Sequence, residues 1–373
     1  MDWCQKVYND GKTLRHCFHS IVAKLLALNS SNEANMKTMR QWVVTAPGGA
    51  QHLKLEEASV PTPGPHEILV RVGAVSLNYR DIDVIAGGHG VSLPFPYTPG
   101  SDLAGVVAAT GSSVTRFREG DDVLNTFWAG WLDGDWPSHA RVIGGALPGV
   151  LAQYVVLHED WAVHAPRTLD AVAASTLPCA GVTAWFALIE QGALHAGQTV
   201  VVQGTGGVAL FGLQLARAHG AQVIVTSSSD EKLRRVRELG ATHGIDRTTD
   251  PDWDRVVREL TQGRGADHIF ELAGGDNLGA SLRALRQGGR ISLIGLLDQP
   301  NMTLPSIPSF LTRPVIQGIG VGHRRAFEAL VRAVDVVGIK PVVDEVYAFD
   351  ALPQAVAHLE RGAFGKLVVK VGA

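Results

Sequence analysis

The sequence predicts an α/β protein with two parts, a mostly β domain and a doubly wound parallel sheet of six strands. Short apolar stretches separated by turn residues fill the region from 39 to about 165, which is typical of a β domain. From about residue 199, apolar strands alternate with helices, and this alternation predicts parallel strands joined by crossover helices. A length of 373 residues also fits two domains.

Residues 1–38 differ from the rest of the chain. They contain one of the 42 glycines and two of the three cysteines, and their short apolar stretch is interrupted by Lys24. A secretory signal needs an uninterrupted apolar core. We therefore expect a disordered or loosely helical extension, with the first domain beginning at Met36 or Met39.

The predicted elements follow in order behind this extension. A stiff loop at 61–65 precedes alternating strands at 67–75 and 103–109. The second half has predicted strands at 200–203, 222–226, 243–245, 267–271, 290–294 and 315–319, and helices at 207–218, 231–239, 252–262 and 276–286. Ser228 and Glu231 stand three residues apart, as a capping box at the start of the second of these helices requires. The stretch 321–373, with helices at 325–337 and 352–360 and a strand at 366–371, is expected to return to the β domain.

The composition argues against several classes of protein. With 46% hydrophobic and 18% charged residues, the chain is too apolar for an intrinsically disordered protein. A net charge of −3 without a basic face argues against binding to nucleic acid or an anionic membrane. Glu190 is the only formal charge from 171 to 216, but the glycines of that block favour a buried α/β core over a membrane span. Three cysteines without a C-x-x-C pair fit a reducing compartment, so we expect a cytoplasmic protein.

The strongest motif is the glycine-rich turn at 203–209, which follows an apolar strand and opens an apolar-periodic helix. Its first two glycines permit a tight turn and the approach of backbone N–H groups to a pyrophosphate, and Ala209 replaces the third glycine, as this motif tolerates. We expect the contacts of a dinucleotide to be Gly204, Thr205, Gly206, Gly207 and Val208. The alternative is a strand–helix turn that binds no ligand.

The end of the next strand predicts which dinucleotide binds. A protein that binds the unphosphorylated form places a carboxylate there, about 20 residues after the turn, to accept from the ribose hydroxyl. This chain has Ser227 and Ser228 instead, followed by Lys232, and Arg247 ends the third strand. Hydroxyls and cations suit a 2′-phosphate, so we predict NADP(H). The alternative is that Ser228 only caps the helix and Lys232 is solvated.

Several further motifs carry a resemblance to a known family. They run from Leu77 to Asp81, from Pro99 to Gly105, from Leu177 to Ala184, from Gly263 to Asp267 and from Phe364 to Lys366. With the Gly204 turn, they resemble the medium-chain dehydrogenase/reductase superfamily along 39–373, in its zinc-independent branch of quinone oxidoreductases and alcohol-dehydrogenase-like proteins. The resemblance implies a GroES-like catalytic domain made of 39–178 and 321–373, and a Rossmann-type NADP-binding domain at 179–320. It also implies a homodimer or homotetramer that acts on a small-molecule substrate.

The same resemblance argues against a metal. Zinc-binding members of the superfamily carry a cysteine at the position of Asn78 and a His-Glu pair at the positions of Ser101 and Asp102. Cys179 alone matches a ligand position, and one thiolate cannot hold a catalytic zinc, which needs three protein ligands. We therefore predict no metal and expect Cys179 to be a buried small residue.

Without a metal, something else must polarise the substrate that accepts hydride. A quinone or an α,β-unsaturated carbonyl is already electron-poor at the carbon that receives hydride, so a hydrogen bond suffices. Tyr79 is the expected donor; the alternative is a tyrosine packed in the domain interface. Asn78 is, by family position, a contact beside the nicotinamide. Further expected cofactor contacts are Thr183, by family position, and Leu272, Gly274, Ile294 and Gly295, which follow strand ends.

Three of the eight tryptophans fall within 127–136, and they are either a pocket wall for a flat or apolar substrate or ordinary loop packing.

The leading hypothesis is a zinc-independent, NADPH-dependent oxidoreductase that transfers hydride to a quinone or a conjugated C=C bond, with Tyr79 or solvent as the proton source. The enzyme alternative is an NADP-dependent alcohol or carbonyl dehydrogenase of the same fold. The alternative of another class is an NADPH-binding sensor or structural protein without turnover.

Overall fold

The computed structural model describes residues 37–88, 93–295 and 301–372. The predicted extension at 1–38 lies outside these residues except for its last two. Thr38 already lies in the first strand, so regular structure begins one residue before Met39.

The first half of the chain forms a hairpin and most of an antiparallel sheet. Its elements are β1 (Thr38–Val44), β2 (Leu53–Ser59), β3 (Glu67–Leu77), α1 (Tyr79–Ala86), β4 (Asp102–Thr110), β5 (Asp122–Asn125), β6 (Trp128–Ala129), β7 (Arg141–Val142), β8 (Tyr154–His158) and β9 (Ala162–His164). β1 pairs with β2, and β3, β4, β5, β8 and β9 belong to one seven-stranded sheet. The strands predicted at 67–75 and 103–109 are β3 and β4, and each is two residues longer than predicted.

A helical segment joins this sheet to the next one. α2 (Ala171–Ala174) and α3 (Val182–Trp185) alternate with π-helical turns at Leu177–Gly181 and Phe186–Glu190. Leu177, Ala184 and Leu188 are fully buried, as expected for the uncharged block if it is protein core. None of the helices in the described part of the chain is long and apolar enough to cross a membrane.

The second half contains the doubly wound sheet. Its elements are β10 (Thr199–Gln203), α4 (Gly207–Ala218), β11 (Gln222–Ser227), α5 (Asp230–Glu238), β12 (His243–Asp246), α6 (Trp253–Leu260), β13 (Ala266–Glu271), α7 (Asn277–Ala284), β14 (Leu285–Leu293), α8 (Ser306–Thr312) and β15 (Val315–Gly318). The strand order is β12-β11-β10-β13-β14-β15, and every neighbouring pair is parallel. β10 and β13 are buried along their whole length, which is typical of a sheet covered on both faces. The predicted α/β fold class, with a Rossmann-type six-stranded parallel sheet, is confirmed.

Three details of this region differ from the prediction. The predicted capping box of Ser228 and Glu231 is wrong by one residue, because the hydroxyl of Ser229 caps α5 by accepting from the N–H of Lys232 at 3.3 Å. The helix predicted at 276–286 ends at Ala284, since Leu285 is buried and already pairs with β13. α8 was not predicted, because prolines at its start and within it resemble a loop.

The chain then returns to the antiparallel sheet. The last elements are α9 (Arg324–Val337), β16 (Val343–Ala348), α10 (Leu352–Arg361) and β17 (Lys366–Lys370). β17 lies between β16 and β3, antiparallel to β3. Just before it, Gly365 forms a bridge with Gly206, so the end of the chain meets the glycine-rich turn. The predicted domain boundaries stay predictions.

Candidate active site

The glycine-rich turn joins β10 to α4 at the carboxyl edge of the parallel sheet. Gly204 has a φ of +76°, a conformation that glycine adopts without strain. A Cβ atom at Gly204 or Gly206 would meet nothing within 4 Å, so open space lies beside the turn. None of the described side chains caps α4, and its first turn carries no acidic residue. Uncapped N–H groups at the positive end of a helix bind phosphate, so Gly204, Thr205, Gly206, Gly207 and Val208 fit the pyrophosphate of a dinucleotide.

The predicted phosphate-binding residues lie at the ends of β11 and β12. Ser227 ends β11 and is buried, and the N–H of Arg247 donates to its carbonyl at 2.9 Å. Lys232 lies in the first turn of α5, and its Nζ atom is 3.4 Å from the carbonyl oxygen of Gly362. The side chains of Ser228 and Arg247 are exposed. The structure therefore brings the four predicted residues to one end of the sheet.

One carboxylate lies near this end, on Asp246, which is paired with Ser227 in the sheet. The hydroxyl and the N–H of Thr248 donate to it at 2.7 and 2.8 Å. These hydrogen bonds lower the pKa of Asp246, because they stabilise its ionised form. One of its two oxygens, Oδ1, is thus engaged within its own turn.

A buried carboxylate organises the loop that follows β13. The oxygens of Glu271 accept from the N–H groups of Ala273 and Gly274 and from the side chains of Asn277, Gln203 and Ser281. All of these donors are uncharged. Gln203, which directly precedes the glycine-rich turn, also accepts from the N–H of Leu272 at 3.1 Å. The network therefore fixes the turn and the β13 loop relative to each other. Sequence reasoning missed Glu271, although an acidic residue ending an otherwise apolar strand is a visible signal.

The remaining strand-end residues meet at the same place. The N–H groups of Ile294 and Gly295 both donate to the carbonyl oxygen of Glu271, at 2.9 and 3.2 Å. A Cβ atom at Gly295 would lie 2.4 Å from the carbonyl oxygen of Leu272, so only glycine fits there. Leu272, Gly274, Ile294 and Gly295 thus lie together at the edge where open α/β sheets bind ligands.

Asn78 begins a chain of hydrogen bonds that runs through Ser101, Asp102 and Cys179 to Thr183. We call these residues the Asn78 wall. Its side-chain NH₂ group donates to Oγ of Ser101 at 3.2 Å, and that hydroxyl donates to Oδ1 of Asp102 at 2.6 Å. The other oxygen of Asp102 accepts from the N–H of Cys179 at 3.0 Å. The hydroxyl of Thr183 donates to the carbonyl oxygen of Cys179 at 2.7 Å. This chain joins the two predicted nicotinamide contacts, Asn78 and Thr183.

Lys366 completes this site, and sequence reasoning gave it no role. Its side chain is only 4% exposed, and Nζ donates to the carbonyl oxygen of Leu77 and to Oδ1 of Asn78. Its stem packs against Gly207, where a Cβ atom would lie 2.4 Å from Cδ of the lysine. The N–H of Gly365 donates to the carbonyl of Thr205 at 2.9 Å. The signal for this residue is a lysine that stands at the start of an apolar strand, with its other lysine, Lys370, at the end.

Burial dominates the electrostatics of this wall. It raises the pKa of Asp81 to about 6, against the opposing effect of Arg80, whose Nη1 atom is 3.4 Å away. It also raises the pKa of Asp102, against the effects of Lys366 and of the hydrogen bonds described above. Burial and the neighbouring Asp102 raise the pKa of the partly buried Cys179 thiol. A raised pKa keeps the thiol protonated at neutral pH.

The predicted proton donor and the aromatic loop lie towards solvent. Tyr79, the first residue of α1, is 51% exposed in this chain. The indole of Trp128 donates to the carbonyl of Gly320 at 2.8 Å and lies 3.9 Å, centre to centre, from Trp136. Trp131 packs on Phe186. Internal packing therefore accounts for part of this cluster, while Trp136 keeps almost half of its surface exposed.

Comparisons with known proteins match both halves of the chain. Residues 64–167 match the alcohol dehydrogenase GroES-like domain, and residues 207–336 match the zinc-binding dehydrogenase family. A zinc-type alcohol dehydrogenase-like protein of Schizosaccharomyces pombe is 40% identical over 87% of this chain and 96% of its own length. The chain belongs to the medium-chain dehydrogenase/reductase superfamily.

Two other members of the superfamily show how widely the likeness extends. The quinone oxidoreductase of Homo sapiens is 27% identical, with 89% of this chain and 98% of the relative aligned. The crystal structure of a putative alcohol dehydrogenase from Sinorhizobium meliloti is 57% identical, with a TM-score of 0.87 over 90% of this chain and 99% of that one. The chain is thus an oxidoreductase of the alcohol dehydrogenase and quinone oxidoreductase family, whose members bind nicotinamide cofactors.

The family name raises the question of zinc, and the donor atoms of this chain do not fit that metal. The oxygens of Asn78, Ser101 and Asp102 are engaged in the hydrogen bonds described above, and the Cys179 thiol is held in its protonated form. Zinc binds thiolates and neutral imidazoles, with three protein ligands in catalytic sites. Among the described residues, no group of three or more histidine, cysteine, aspartate or glutamate side chains is placed to hold a metal ion.

Proposed function

We propose that the protein is a zinc-independent, NADPH-dependent oxidoreductase that reduces a quinone or an α,β-unsaturated carbonyl. The main observation behind the proposal is the set of residues at the end of β11. Ser227 stands where a carboxylate would select the unphosphorylated cofactor, and Lys232 and Arg247 lie at the same end of the sheet. Hydroxyl and cationic groups suit a 2′-phosphate, and Oδ1 of Asp246 is engaged by Thr248.

Different sets of residues would bind different parts of the cofactor. NADPH supplies a hydride when it is bound. The turn at Gly204–Val208 would hold the pyrophosphate, and Ser227, Ser228, Lys232 and Arg247 would hold the 2′-phosphate. Thr183 and Asn78, together with Leu272, Gly274, Ile294 and Gly295, would contact the nicotinamide. Glu271 fixes the β13 loop to the turn through Gln203.

The donor set favours a substrate that needs no metal. A quinone or a conjugated carbonyl accepts hydride at an electron-poor carbon, so hydrogen bonding to its oxygen replaces a Lewis acid. Tyr79 is half exposed and follows Asn78 directly, so its hydroxyl is available to supply the proton. The exposed face of Trp136 is suited to a flat or apolar substrate.

Titration with NADPH and NADH tests the cofactor. Lys232→Ala should weaken NADPH binding by about 1.5–3 kcal/mol, the value of a hydrogen bond to a charged group, and leave NADH binding nearly unchanged. Arg234→Ala is a matched control, because Arg234 lies on the same helix but pairs with Glu238. Equal affinities of the wild type for both cofactors would refute the NADPH preference.

A panel of quinones, enals and aldehydes, followed by NADPH absorbance with product identification, tests the reaction. A saturated carbonyl formed from an enone supports the proposal. An allylic alcohol supports instead the NADP-dependent alcohol dehydrogenase alternative. Tight NADPH binding without oxidation of NADPH by any member of the panel supports a sensor or structural protein.

We also propose a homodimer or homotetramer. The outer surface of α8 exposes Ile307, Phe310 and Leu311, and Phe310 is 80% exposed. β15 beside it is the edge strand of the parallel sheet. An apolar patch next to an open sheet edge favours association. Sedimentation of wild type and of Phe310→Glu tests this, and a wild-type monomer would contradict it.

Three cysteines in 373 residues support our proposal of a cytoplasmic location.

A further inference from the structure

The ammonium group of Lys366 is a buried charge in contact with the proposed nicotinamide wall. The two hydrogen-bond acceptors of Nζ, the carbonyl of Leu77 and the amide oxygen of Asn78, are both uncharged. The side chain is only 4% exposed, and its stem packs against Gly207 at the start of α4, so the ammonium is held in place on both sides. The lysine is therefore a fixed positive charge, one hydrogen bond away from Asn78.

Four other ionisable groups act on this wall. Arg80 pairs with Asp81 at 3.4 Å, and Asp102 is tied to Ser101 and to the backbone of Cys179. Burial opposes the ionised form of both aspartates, since it raises both of their pKa values. The Cys179 thiol adds no charge while it is protonated. Nζ of Lys366 itself contacts the carbonyl of Leu77 and the amide oxygen of Asn78, so its positive charge is not paired directly with a carboxylate through these hydrogen bonds.

The two redox forms of a nicotinamide cofactor differ in charge at the ring. The oxidised ring carries one positive charge and the reduced ring carries none, whereas the rest of the molecule is the same. A fixed cation close to the ring therefore weakens binding of the oxidised form and leaves the reduced form almost unaffected.

We propose that Lys366 determines the preference of this site for the reduced over the oxidised cofactor. The inference rests on the proposed function, because it requires the nicotinamide to lie at the Asn78 wall. It assigns to Lys366 the discrimination between the positively charged oxidised nicotinamide ring and the uncharged reduced ring. The site takes up the reduced cofactor in preference, and the spent cofactor, with its charged ring, is released more readily.

Lys366 also fixes the orientation of the Asn78 amide. Because Nζ donates to Oδ1, the NH₂ group of Asn78 must face Ser101 and the site. An amide whose oxygen accepts from a cation is a stronger donor through its N–H groups. The orientation of the Asn78 amide is therefore fixed on both sides, by Lys366 at its oxygen and by Ser101 at its NH₂ group.

The test is the ratio of the dissociation constants of NADP⁺ and NADPH, measured by calorimetry or tryptophan fluorescence without any substrate. Lys366→Met and Lys366→Gln should lower this ratio at least about tenfold, the effect of one unit charge about 12 Å away at an effective dielectric constant of about 20. Lys366→Arg, which keeps the charge, should leave the ratio within about threefold of wild type. Lys370→Met is the matched control, because Lys370 is an exposed lysine on the same strand, and its ratio should not change.

The outcomes separate this inference from the proposed function. Equal weakening of both redox forms in Lys366→Met and Lys366→Gln would show a structural role and overturn the inference, while the cofactor assignment would stand. A wild type that prefers the unphosphorylated cofactor would overturn the NADPH preference alone, because the same ratio can be measured with NAD⁺ and NADH. A wild type that binds no nicotinamide cofactor would overturn both.

Discussion

Gly207 has no side chain at the point where the stem of Lys366 crosses the start of α4, and a Cβ atom there would lie 2.4 Å from Cδ of the lysine. The glycine at the fourth position of the G-x-G-G turn is therefore required by a side chain from the far end of the chain. Gly206, its neighbour, has open space at the corresponding point. The two adjacent glycines thus differ: Gly207 makes room for a side chain of the protein, and Gly206 borders the space in which we propose that the cofactor binds.

Alanine substitution should distinguish the two. Gly207→Ala should lower the free energy of unfolding by about 1–3 kcal/mol, the usual cost of overpacking, and also weaken NADPH binding. Gly206→Ala should leave stability nearly unchanged, because the free protein accommodates the methyl group, yet weaken NADPH binding by blocking the approach of the pyrophosphate. Urea denaturation and calorimetry measure the two effects. Unchanged NADPH affinity in Gly206→Ala would show that the pyrophosphate does not lie at this turn.

A carboxylate at the end of β11 should reverse the cofactor preference. Ser227 is buried, and its hydroxyl accepts from the N–H of Ser229 at 3.3 Å. Ser227→Asp can retain that acceptor and present its second oxygen to the ribose, where it repels a 2′-phosphate. We expect NADPH binding to fall at least about tenfold and NADH binding to improve. Ser227→Asn, of the same size without the charge, is the control. A fall of equal size for both cofactors in Ser227→Asp would argue that the change acts through folding.

Asp81 should make stability depend on pH in a defined direction. Its pKa is about 6 in the folded protein against an ordinary 3.8, so the folded state holds this proton to a higher pH than the unfolded state does. The contribution of Asp81 to stability is therefore complete below pH 4, decreases as the pH rises to 6, and stays low above that. The total change is about 3 kcal/mol.

Asp81→Asn removes this dependence, since an amide oxygen can accept the hydrogen bond from the N–H of Asn78 without ionising. The free energy of unfolding of the variant relative to wild type should increase by up to about 3 kcal/mol between pH 4 and pH 7. Urea denaturation across that range measures it, with Asp122→Asn, at an exposed carboxylate, as the control. A constant difference over the whole range would contradict the raised pKa.

Zinc analysis should distinguish this chain from the zinc-carrying proteins of its superfamily. Because the donor atoms of Asn78, Ser101 and Asp102 are engaged in hydrogen bonds and the Cys179 thiol is protonated, we expect far less than one zinc per chain after dialysis. A zinc-containing alcohol dehydrogenase dialysed in parallel is the control. Stoichiometric zinc that survives in the wild type and is lost in Cys179→Ala would refute this expectation.

Local patterns were sufficient for most of the fold. The alternation of strands and helices predicted the parallel sheet, and the glycine-rich turn was placed correctly between β10 and α4 because one short segment determines its backbone. The one-residue error at the cap of α5 has a local cause as well: three consecutive serines offer the same side chain, and pairing of β11 as far as Ser227 decides between them. α8 was missed because Pro308 lies inside it.

The candidate site was harder to predict, because its contacts join distant parts of the chain. Lys366 and Asn78 are 288 residues apart, and each looks ordinary in its own segment. Glu271 and Gln203 end two neighbouring strands, but 68 residues separate them. Only pairing of the strands brings such residues together, so a sequence pattern indicates the strands and not the contact.

The position of β17 has a consequence for how the protein is made. This strand is inserted between β16 and β3, and Leu367 is 291 residues from its hydrogen-bonding partner Ser76. During synthesis on the ribosome, residues 74–77 of β3 therefore stay unpaired on one side until residue 370 has emerged, long after the parallel sheet is able to form. Contacts of such long range also slow folding. A chain that ends within α10 would contain all strands of the parallel sheet but would lack β17. Its antiparallel sheet would therefore expose unpaired backbone groups of β3.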